Sequence, residues 1–344
     1  MKRYQYLFNK IKWALISLIF VIVLNFFLFR ILPGDPVRSG LKDPRLTTAA
    51  QDAIRIRFGL DKQIINCFQT LNPIKFGNCW VNPLDTQFFI YVRNLLSGDL
   101  GISYHTNRPV AAMLGGYLWN TILLIGAGQI LSIIFGTSIG VIAAWKSRTT
   151  VDIVALIGSL VAWSLPTFWL GIVLLFAGSN WLGLPVVGKI TPGLSGSIDD
   201  LGKFLDILRH MILPTLTFTI VVIGEYMMIM RSTVLEVLSE DYILTAKAKG
   251  LSTFQILKDH AMRNAMLPMI TIIALNLGFT VAGAIQIETV FSWPGLGLAI
   301  FEAVGRRDYP MLQGAFLLIA ISVIFANLLA ELFYSYLDPR VKAE

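Results

Sequence analysis

The chain has 344 residues, of which 55% are hydrophobic and only 14% charged, and its mean hydropathy is +0.68. This composition excludes an ordinary soluble domain and indicates a polytopic membrane protein. The formal net charge of +7 fits basic loops at a membrane surface, and no zinc-finger or basic-aromatic pattern predicts a nucleic-acid partner.

Six stretches are apolar and long enough to cross about 30 Å of hydrocarbon as helices of roughly 20 residues. They are residues 13–32, 121–144, 153–178, 211–230, 266–290 and 313–337. We therefore predict an all-α polytopic membrane protein with six transmembrane helices. The first stretch follows basic residues and lacks a small-residue cleavage site, so we interpret it as a retained signal anchor.

With six spans both termini lie on one side of the membrane, and the basic residues indicate which side. Lys and Arg are concentrated in about 60 residues, which make up the N-terminus, the 145–152 loop, the 231–265 loop and the C-terminal tail. The opposite loops spread a similar number over more than twice that length. The positive-inside rule then predicts that both termini are cytoplasmic.

The predicted spans divide the chain into four regions. Residues 1–32 form the N-terminus and the first span, and residues 33–120 form a large extracytoplasmic loop. The Pro, Gly, Asp and aromatic content of this loop predicts an ordered cap. Residues 121–337 form a core of five helices, and residues 338–344 form a cytoplasmic tail.

Both cysteines of the chain, Cys67 and Cys79, lie in the large outer loop. Disulfides persist outside the cytoplasm, and a bond closing so short a loop could stabilise the cap by about 3 kcal/mol. Two free thiols are the alternative. His105 is not at ligand spacing from the cysteines, so we predict neither a metal site nor a cofactor in this chain.

Charged residues inside a membrane span need an explanation, because each costs about 2.5 to 3.5 kcal/mol at the helix centre. Glu225 is the deepest of them. It could line a transport pathway or act as a proton site, or it could pair with a neighbouring span or reach the cytoplasmic surface. Other polar candidates for the pathway, for which interhelical hydrogen bonding is the simpler explanation, are Gln129, Ser164, Asn276 and Gln286.

The loop between the fourth and fifth spans, residues 239–268, has the signals of two short helices joined by a glycine. Ser239 is predicted to cap the first helix and Gly250 to end it in a left-handed turn. Ser252 and Gln255 predict a capping box for the second helix. Pro268 suits the first turn of the following span.

Phe254, Leu257 and Ala261 recur at helical spacing and predict one apolar face for the second helix. A helix-turn-helix lying on the inner leaflet and a docking surface for a partner protein both explain this pattern. No GxxxxGK[ST] loop occurs, so the energy for transport is expected from a separate ATPase or from an ion gradient.

Short motifs along the whole chain resemble those of a known family. Outside the loop they are LPGDP at 32–36, FGLD at 58–61, GDLG at 98–101, ETVFSWPGLG at 288–297, RDYP at 307–310 and LDPR at 337–340. Within the loop they are Asp241, Tyr242, Thr245, Ala246, Lys247, Ala248, Lys249, Gly250, Leu251, Arg263, Asn264, Ala265, Leu267 and Pro268. The chain resembles the ABC importer permeases of the dipeptide, oligopeptide and nickel branch, and within it the first permease subunit type.

This resemblance implies a type I-like permease bundle in the bacterial plasma (inner) membrane and half of a translocation pathway for di- or oligopeptides. The partners that it implies are a second homologous permease, two ATPase subunits docked on the 239–268 loop, an extracytoplasmic substrate-binding protein and the lipid bilayer. The chain itself would be no enzyme, since ATP hydrolysis belongs to the partner subunits. Nickel chelates, glutathione or sugars remain open as cargo, and a proton-coupled secondary transporter using Glu225 is the alternative function.

The sequence departs from the family pattern at a few places. Leu244 stands where Arg is usual, Lys247 where Arg is common, and Glu331 where Asp is usual. Residues 63–85 resemble an insertion.

Overall fold

The computed structural model describes residues 2–31, 86–193, 199–280 and 285–337. The regular elements of these residues are helices, and Ile102 and Pro109 add an isolated β-bridge. The insertion at 63–85, the two cysteines and the tail at 338–344 lie outside the described residues.

The helices are α1 (Lys2–Ile31), α2 (Gln87–Leu96), α3 (Val110–Trp145), α4 (Thr150–Ser164), α5 (Thr167–Leu182), α6 (Asp200–Leu238), α7 (Asp241–Ala248), α8 (Met262–Thr280), α9 (Ile285–Val290), α10 (Leu296–Arg306) and α11 (Tyr309–Leu337). One helical turn (Thr253–Gln255) and a π-helix (Ile256–Ala261) lie between α7 and α8. The described residues form two compact units. The larger takes residues 119–298 with the first part of α1 and the last part of α11, and the smaller takes the remainder.

Four of the described helices, α1, α3, α6 and α11, are long and apolar enough to cross a membrane. Helices α4 and α5 together provide a fifth candidate, but they meet at an angle of 100°. The prediction of one helix over 153–178 is therefore wrong. Pro166 is the reason, because it holds Leu165 in an extended conformation with ψ of 131° and offers no N–H to continue the helix.

The predicted fifth span, 266–290, corresponds to α8 and α9, with residues 281–284 between them outside the described part of the chain. The predicted number of six spans and the predicted large outer loop are thus not confirmed. The all-α class is confirmed for the described residues.

Helices α3 and α6 pack closely within the larger unit. A Cβ on Gly136 would lie 2.7 Å from Cβ of Tyr226, and a Cβ on Gly140 would lie 2.7 Å from the carbonyl oxygen of Met227. These glycines, four residues apart, are the small-residue pattern that lets membrane helices approach each other. Tyr226 and Met230 are then buried beside Ala144 in one apolar cluster of the larger unit.

Asp308 organises the smaller unit. Its carboxylate accepts from Ser103 Oγ at 2.5 Å and from Tyr104 N–H at 3.1 Å, and it also accepts from Met311 N–H at 3.4 Å in the first turn of α11. The acid therefore caps α11 and ties the segment before α3 to it.

Candidate functional site

Helix α7 in the 239–268 loop ends in a Schellman motif. Leu251 N–H donates to the Ala246 carbonyl oxygen at 3.3 Å, and Gly250 N–H donates to the Lys247 carbonyl oxygen at 2.9 Å. Gly250 has φ of +79°, and a Cβ on it would meet nothing within 4 Å. The predicted left-handed end is confirmed, and the backbone conformation, not a lack of space, favours glycine.

The start of α7 differs from the prediction. Helix α6 continues to Leu238, so Ser239 is its C-cap residue, and the Ser239 hydroxyl donates to the Glu236 carbonyl oxygen at 2.6 Å. Glu240 occupies the N-cap position of α7 without a side-chain capping hydrogen bond. The assignment of Ser239 as the N-cap is wrong, because the fourth span runs further as a helix than its apolar stretch indicates.

The second helical segment has the predicted capping box. Ser252 Oγ accepts from Gln255 N–H at 3.3 Å, and Gln255 Oε1 accepts from Ser252 N–H at 2.9 Å. In the π-helix that follows, Leu257 and Ala261 are buried in one cluster with Val234 of α6. This contact fixes the loop to the end of α6.

Phe254 was predicted on the same apolar face as Leu257 and Ala261, and this prediction is wrong. The Phe254 side chain is 58% exposed, and its ring centroid lies 6.3 Å from that of Trp145. The capped turn and the π-helix do not keep the 3.6-residue period across the junction, which separates the three side chains.

The loop has a buried side and an exposed apolar surface. Its buried side is formed by Ile243, Ala246 and Ile256, which pack together. Its exposed apolar side chains, here together called the loop surface, are Tyr242, Leu244 and Phe254, which are 40%, 69% and 58% exposed. Tyr242 and Leu244 are two residues apart on α7 and therefore lie on different sides of that helix. The Tyr242 hydroxyl accepts from Asn264 Nδ2 at 2.6 Å, which joins α7 to α8. Exposed apolar side chains on a loop between membrane spans are available for contact with a protein or with lipid.

Pro268 lies inside α8 and not in a first helical turn, so that prediction is also wrong. The π-helix continues directly into α8 at Met262, and the helix therefore begins before the apolar stretch. Leu267 precedes Pro268 in the same helix.

An ion pair connects α4 to the end of α6 near this loop. Arg231 Nε and Nη2 donate to the Asp152 carboxylate at 2.5 and 2.8 Å, and Asp152 also accepts from Arg148 N–H at 2.9 Å. The Asp152 side chain is 3% exposed. Sequence reasoning counted Arg231 only as a basic loop residue, and no local pattern links it to an acid 79 positions away.

A polar cluster lies between α3, α6 and α8. Gln129 Nε2 and Asn276 Nδ2 both donate to the Tyr226 hydroxyl oxygen, the latter at 3.0 Å. Asn276 Nδ2 also donates to Glu225 Oε1 at 3.3 Å. The structure therefore brings together three of the polar positions selected from sequence, through a tyrosine that sequence reasoning missed. Ser164 lies elsewhere, with its hydroxyl bonded to the Val161 carbonyl oxygen at 2.9 Å.

A cavity of about 300 Å³ lies among α5, α6 and α9. Gln286, the fourth polar candidate, lines it together with Thr167. The rest of its lining is apolar and consists of Phe218, Val221, Val222, Ile285 and Ile287.

Glu288 on α9 is fully buried and holds the turn that leads into α10. Its carboxylate accepts from Thr121 Oγ1 at 2.7 Å and from Leu298 N–H at 3.0 Å. Thr121 Oγ1 accepts in turn from Leu296 N–H at 2.7 Å. The carboxylate thus satisfies backbone donors at the start of α10, which explains why a buried charge is stable at this position.

In the loop between α5 and α6, Lys189 is half-buried and donates to Asn120 Oδ1 at 2.7 Å. Burial lowers the pKa of the Lys189 ammonium group below its usual range.

Residues 136–343 match the family described as the binding-protein-dependent transport system inner membrane component. The match covers more than half of the chain. The chain belongs to this family. Its all-helical transmembrane architecture agrees with that membership, which makes it a multi-pass membrane protein of the ABC permease type.

Curated permeases extend the likeness to nearly the full length. The dipeptide transport system permease protein DppB of Escherichia coli K12 is 33% identical over 98% of both chains. The di/tripeptide permease DppB of Pseudomonas aeruginosa is 36% identical over 94% of both. The dipeptide permease DppB of Alkalihalophilus pseudofirmus is 33% identical over 94% of this chain and 95% of its own.

The family consists of membrane components of transport systems, so membership supports a permease role and not an enzymatic one. It does not favour the alternative of a proton-coupled secondary transporter.

Proposed function

We propose that this chain is a permease subunit of an ATP-driven, binding-protein-dependent importer of di- or oligopeptides. It forms half of the translocation pathway within residues 121–337 and couples to separate ATPase subunits through the 239–268 loop. We propose this cargo because the chain is similar, over at least 94% of its length, to three dipeptide or di/tripeptide permeases.

The loop surface supports the coupling role. Tyr242, Leu244 and Phe254 expose apolar side chains, while the buried side of the loop and the π-helix are fixed to α6. Because the loop is packed against α6, and the Arg231–Asp152 ion pair joins α6 to α4, a movement of the loop would be transmitted to both helices. The residues proposed to form the ATPase-coupling loop are Asp241, Tyr242, Thr245, Ala246, Lys247, Ala248, Lys249, Gly250, Leu251, Leu267 and Pro268. Ala246 belongs to the buried side of this loop and supports its shape.

The proposed partners are a second homologous permease, two ATPase subunits, an extracytoplasmic binding protein and the bilayer of the bacterial plasma membrane. We place both termini and the loop in the cytoplasm, following the positive-inside rule. Each coupling loop then meets one ATPase subunit.

Native mass spectrometry of the tagged chain, purified in a mild detergent from its own host, tests this assembly. A complex with a second permease and two ATPase subunits supports the proposal. Reconstituted uptake of a labelled dipeptide, dependent on ATP and on the binding protein, tests the cargo. A lone chain that still transports after reconstitution, with uptake abolished by an uncoupler at constant ATP, contradicts the proposal.

A further inference from the structure

We propose that Glu225 and the adjacent cavity form a binding site for a peptide in transit. The Glu225 carboxylate binds the N-terminal ammonium group, and the cavity receives an apolar side chain. This inference rests on the proposed function, because it requires that peptides cross the membrane through this chain.

Helix α6 places Glu225 within the thickness of the membrane. At one end of the helix, Asp206 accepts from Thr191 N–H at 2.8 Å, and near the other end Arg231 binds Asp152. These two polar anchors are separated by about 37 Å at 1.5 Å per residue, close to the thickness of a bilayer with part of its headgroups. Glu225 lies about 9 Å along the axis from Arg231, which is inside the hydrocarbon region.

The Glu225 side chain is half-buried and accepts one hydrogen bond, from Asn276 Nδ2 at 3.3 Å. Within the part of the chain that the structure describes, it makes no ion pair. Arg231, the basic residue of α6 nearest to Glu225, binds Asp152. Lys203 and Arg209 precede Glu225 on α6 by at least 16 residues, and Arg263 precedes Asn276 on α8 by 13 residues, which are separations of about 24 and 20 Å along the helix axes. A carboxylate at this depth needs a cation, and these elements supply none.

The cavity lies on the same side of α6 as this carboxylate. Phe218, Val221 and Val222 precede Glu225 by seven, four and three residues, which places all four on one helical face. The nearest wall of the cavity is therefore about one helical turn, roughly 5 Å, from the carboxylate along the axis.

A volume of about 300 Å³ is at the lower end of the range for small-molecule sites and suits one or two amino-acid side chains. Its lining is apolar except for Thr167 and Gln286, which offer a hydroxyl and an amide. A carboxylate beside an apolar cavity matches a ligand with an ammonium group next to an apolar side chain. The N-terminal residue of a peptide has that chemistry.

The test uses the complete transporter, reconstituted in proteoliposomes with its second permease, ATPase subunits and binding protein, and the probe is radiolabelled Phe-Ala, whose N-terminal residue carries the apolar side chain. Glu225→Gln should lower the uptake rate at least about 10-fold at saturating loaded binding protein, because a charge-assisted contact is lost. Glu236→Gln, which removes an exposed carboxylate from the same helix, is the matched control and should keep the wild-type rate.

A cysteine variant separates charge from structure and from proton transfer. Glu225→Cys should be as slow as Glu225→Gln. A methanethiosulfonate reagent that adds a sulfonate should restore uptake several-fold, whereas one that adds a quaternary ammonium should not. A sulfonate stays ionised at neutral pH, so it replaces a fixed negative charge but not a proton carrier. The wild-type chain treated with both reagents controls for Cys67 and Cys79.

If the wild-type transporter takes up the peptide and Glu225→Gln does so at the same rate, the inference is overturned and the proposed function stays intact. An equal response of Glu225→Cys to both reagents would also overturn it. Loss of the second permease from the Glu225→Gln complex in native mass spectrometry would show that the cation belongs to that subunit, not to the peptide. Absence of uptake by the fully assembled wild-type complex would overturn the proposed function and this inference together.

Discussion

The carboxyl group of Glu288 occupies the space into which a side chain on Gly295 would project. Thr121 Oγ1 and Leu298 N–H hold the two carboxylate oxygens, at 2.7 and 3.0 Å, so the carboxylate cannot move aside without losing hydrogen bonds. The first glycine of the ETVFSWPGLG motif therefore makes room for a buried acid that fixes the start of α10.

Gly295→Ala should destabilise the chain by about 1 to 3 kcal/mol, because the added Cβ overlaps a fixed carboxylate. Gly305→Ala is the control, since a Cβ there meets nothing within 4 Å and alanine favours a helix. Thermal unfolding in detergent, followed by tryptophan fluorescence, measures both. Equal melting temperatures for the two variants would contradict this explanation of the motif.

The Asp152–Arg231 ion pair should matter far more than an exposed pair on the same helix. Asp152→Ala leaves a largely buried guanidinium without its partner, and we expect a loss of about 3 to 5 kcal/mol. Lys203→Met removes the half-buried partner of the fully exposed Asp200 and should change stability by less than about 1 kcal/mol. Chemical denaturation of both variants gives the comparison. A small effect of Asp152→Ala would show that the pair does not hold α4 against α6.

Gly250 offers a test in which backbone conformation is separated from packing. Valine is strained at φ of +79° by about 1 to 2 kcal/mol, whereas asparagine tolerates this region, and neither meets a close neighbour at Cβ. Gly250→Val should therefore reduce peptide-stimulated ATP hydrolysis and uptake by the reconstituted transporter, and Gly250→Asn should retain most of both. Full coupling in Gly250→Val would mean that the left-handed turn is not required.

Local signals in the sequence predicted local structure well. The glycine end of α7 and the Ser252–Gln255 capping box are correct, because both depend on residues within one turn of each other. Errors arose where an element continues past its apolar stretch. Ser239 and Pro268 were misplaced because α6 and α8 extend as helices beyond the residues that their hydropathy marks.

Contacts between distant positions could not be read from one sequence. Two examples are the pairs Asp152–Arg231 and Thr121–Glu288, whose sequence separations follow no helical period. Only the packing of α3, α4, α6 and α9 brings these residues together. The bend at Pro166 had a sequence signal, since a proline interrupts the predicted span. The π-helix had none, because its residues have the composition of an ordinary amphipathic helix.

The size of the cavity beside Glu225 should set which peptides are transported. Val221 lines it, so Val221→Phe fills part of a volume of about 300 Å³ while leaving the carboxylate in place. Uptake of Phe-Ala should then fall about 10-fold relative to Gly-Gly, which has no side chain to accommodate. Val161→Phe adds the same volume at a position that is 52% exposed and should not change the ratio. Competition between the two labelled peptides for one reconstituted transporter measures this ratio directly. If both peptides slow equally in Val221→Phe, the cavity does not hold a peptide side chain, and the selectivity resides elsewhere.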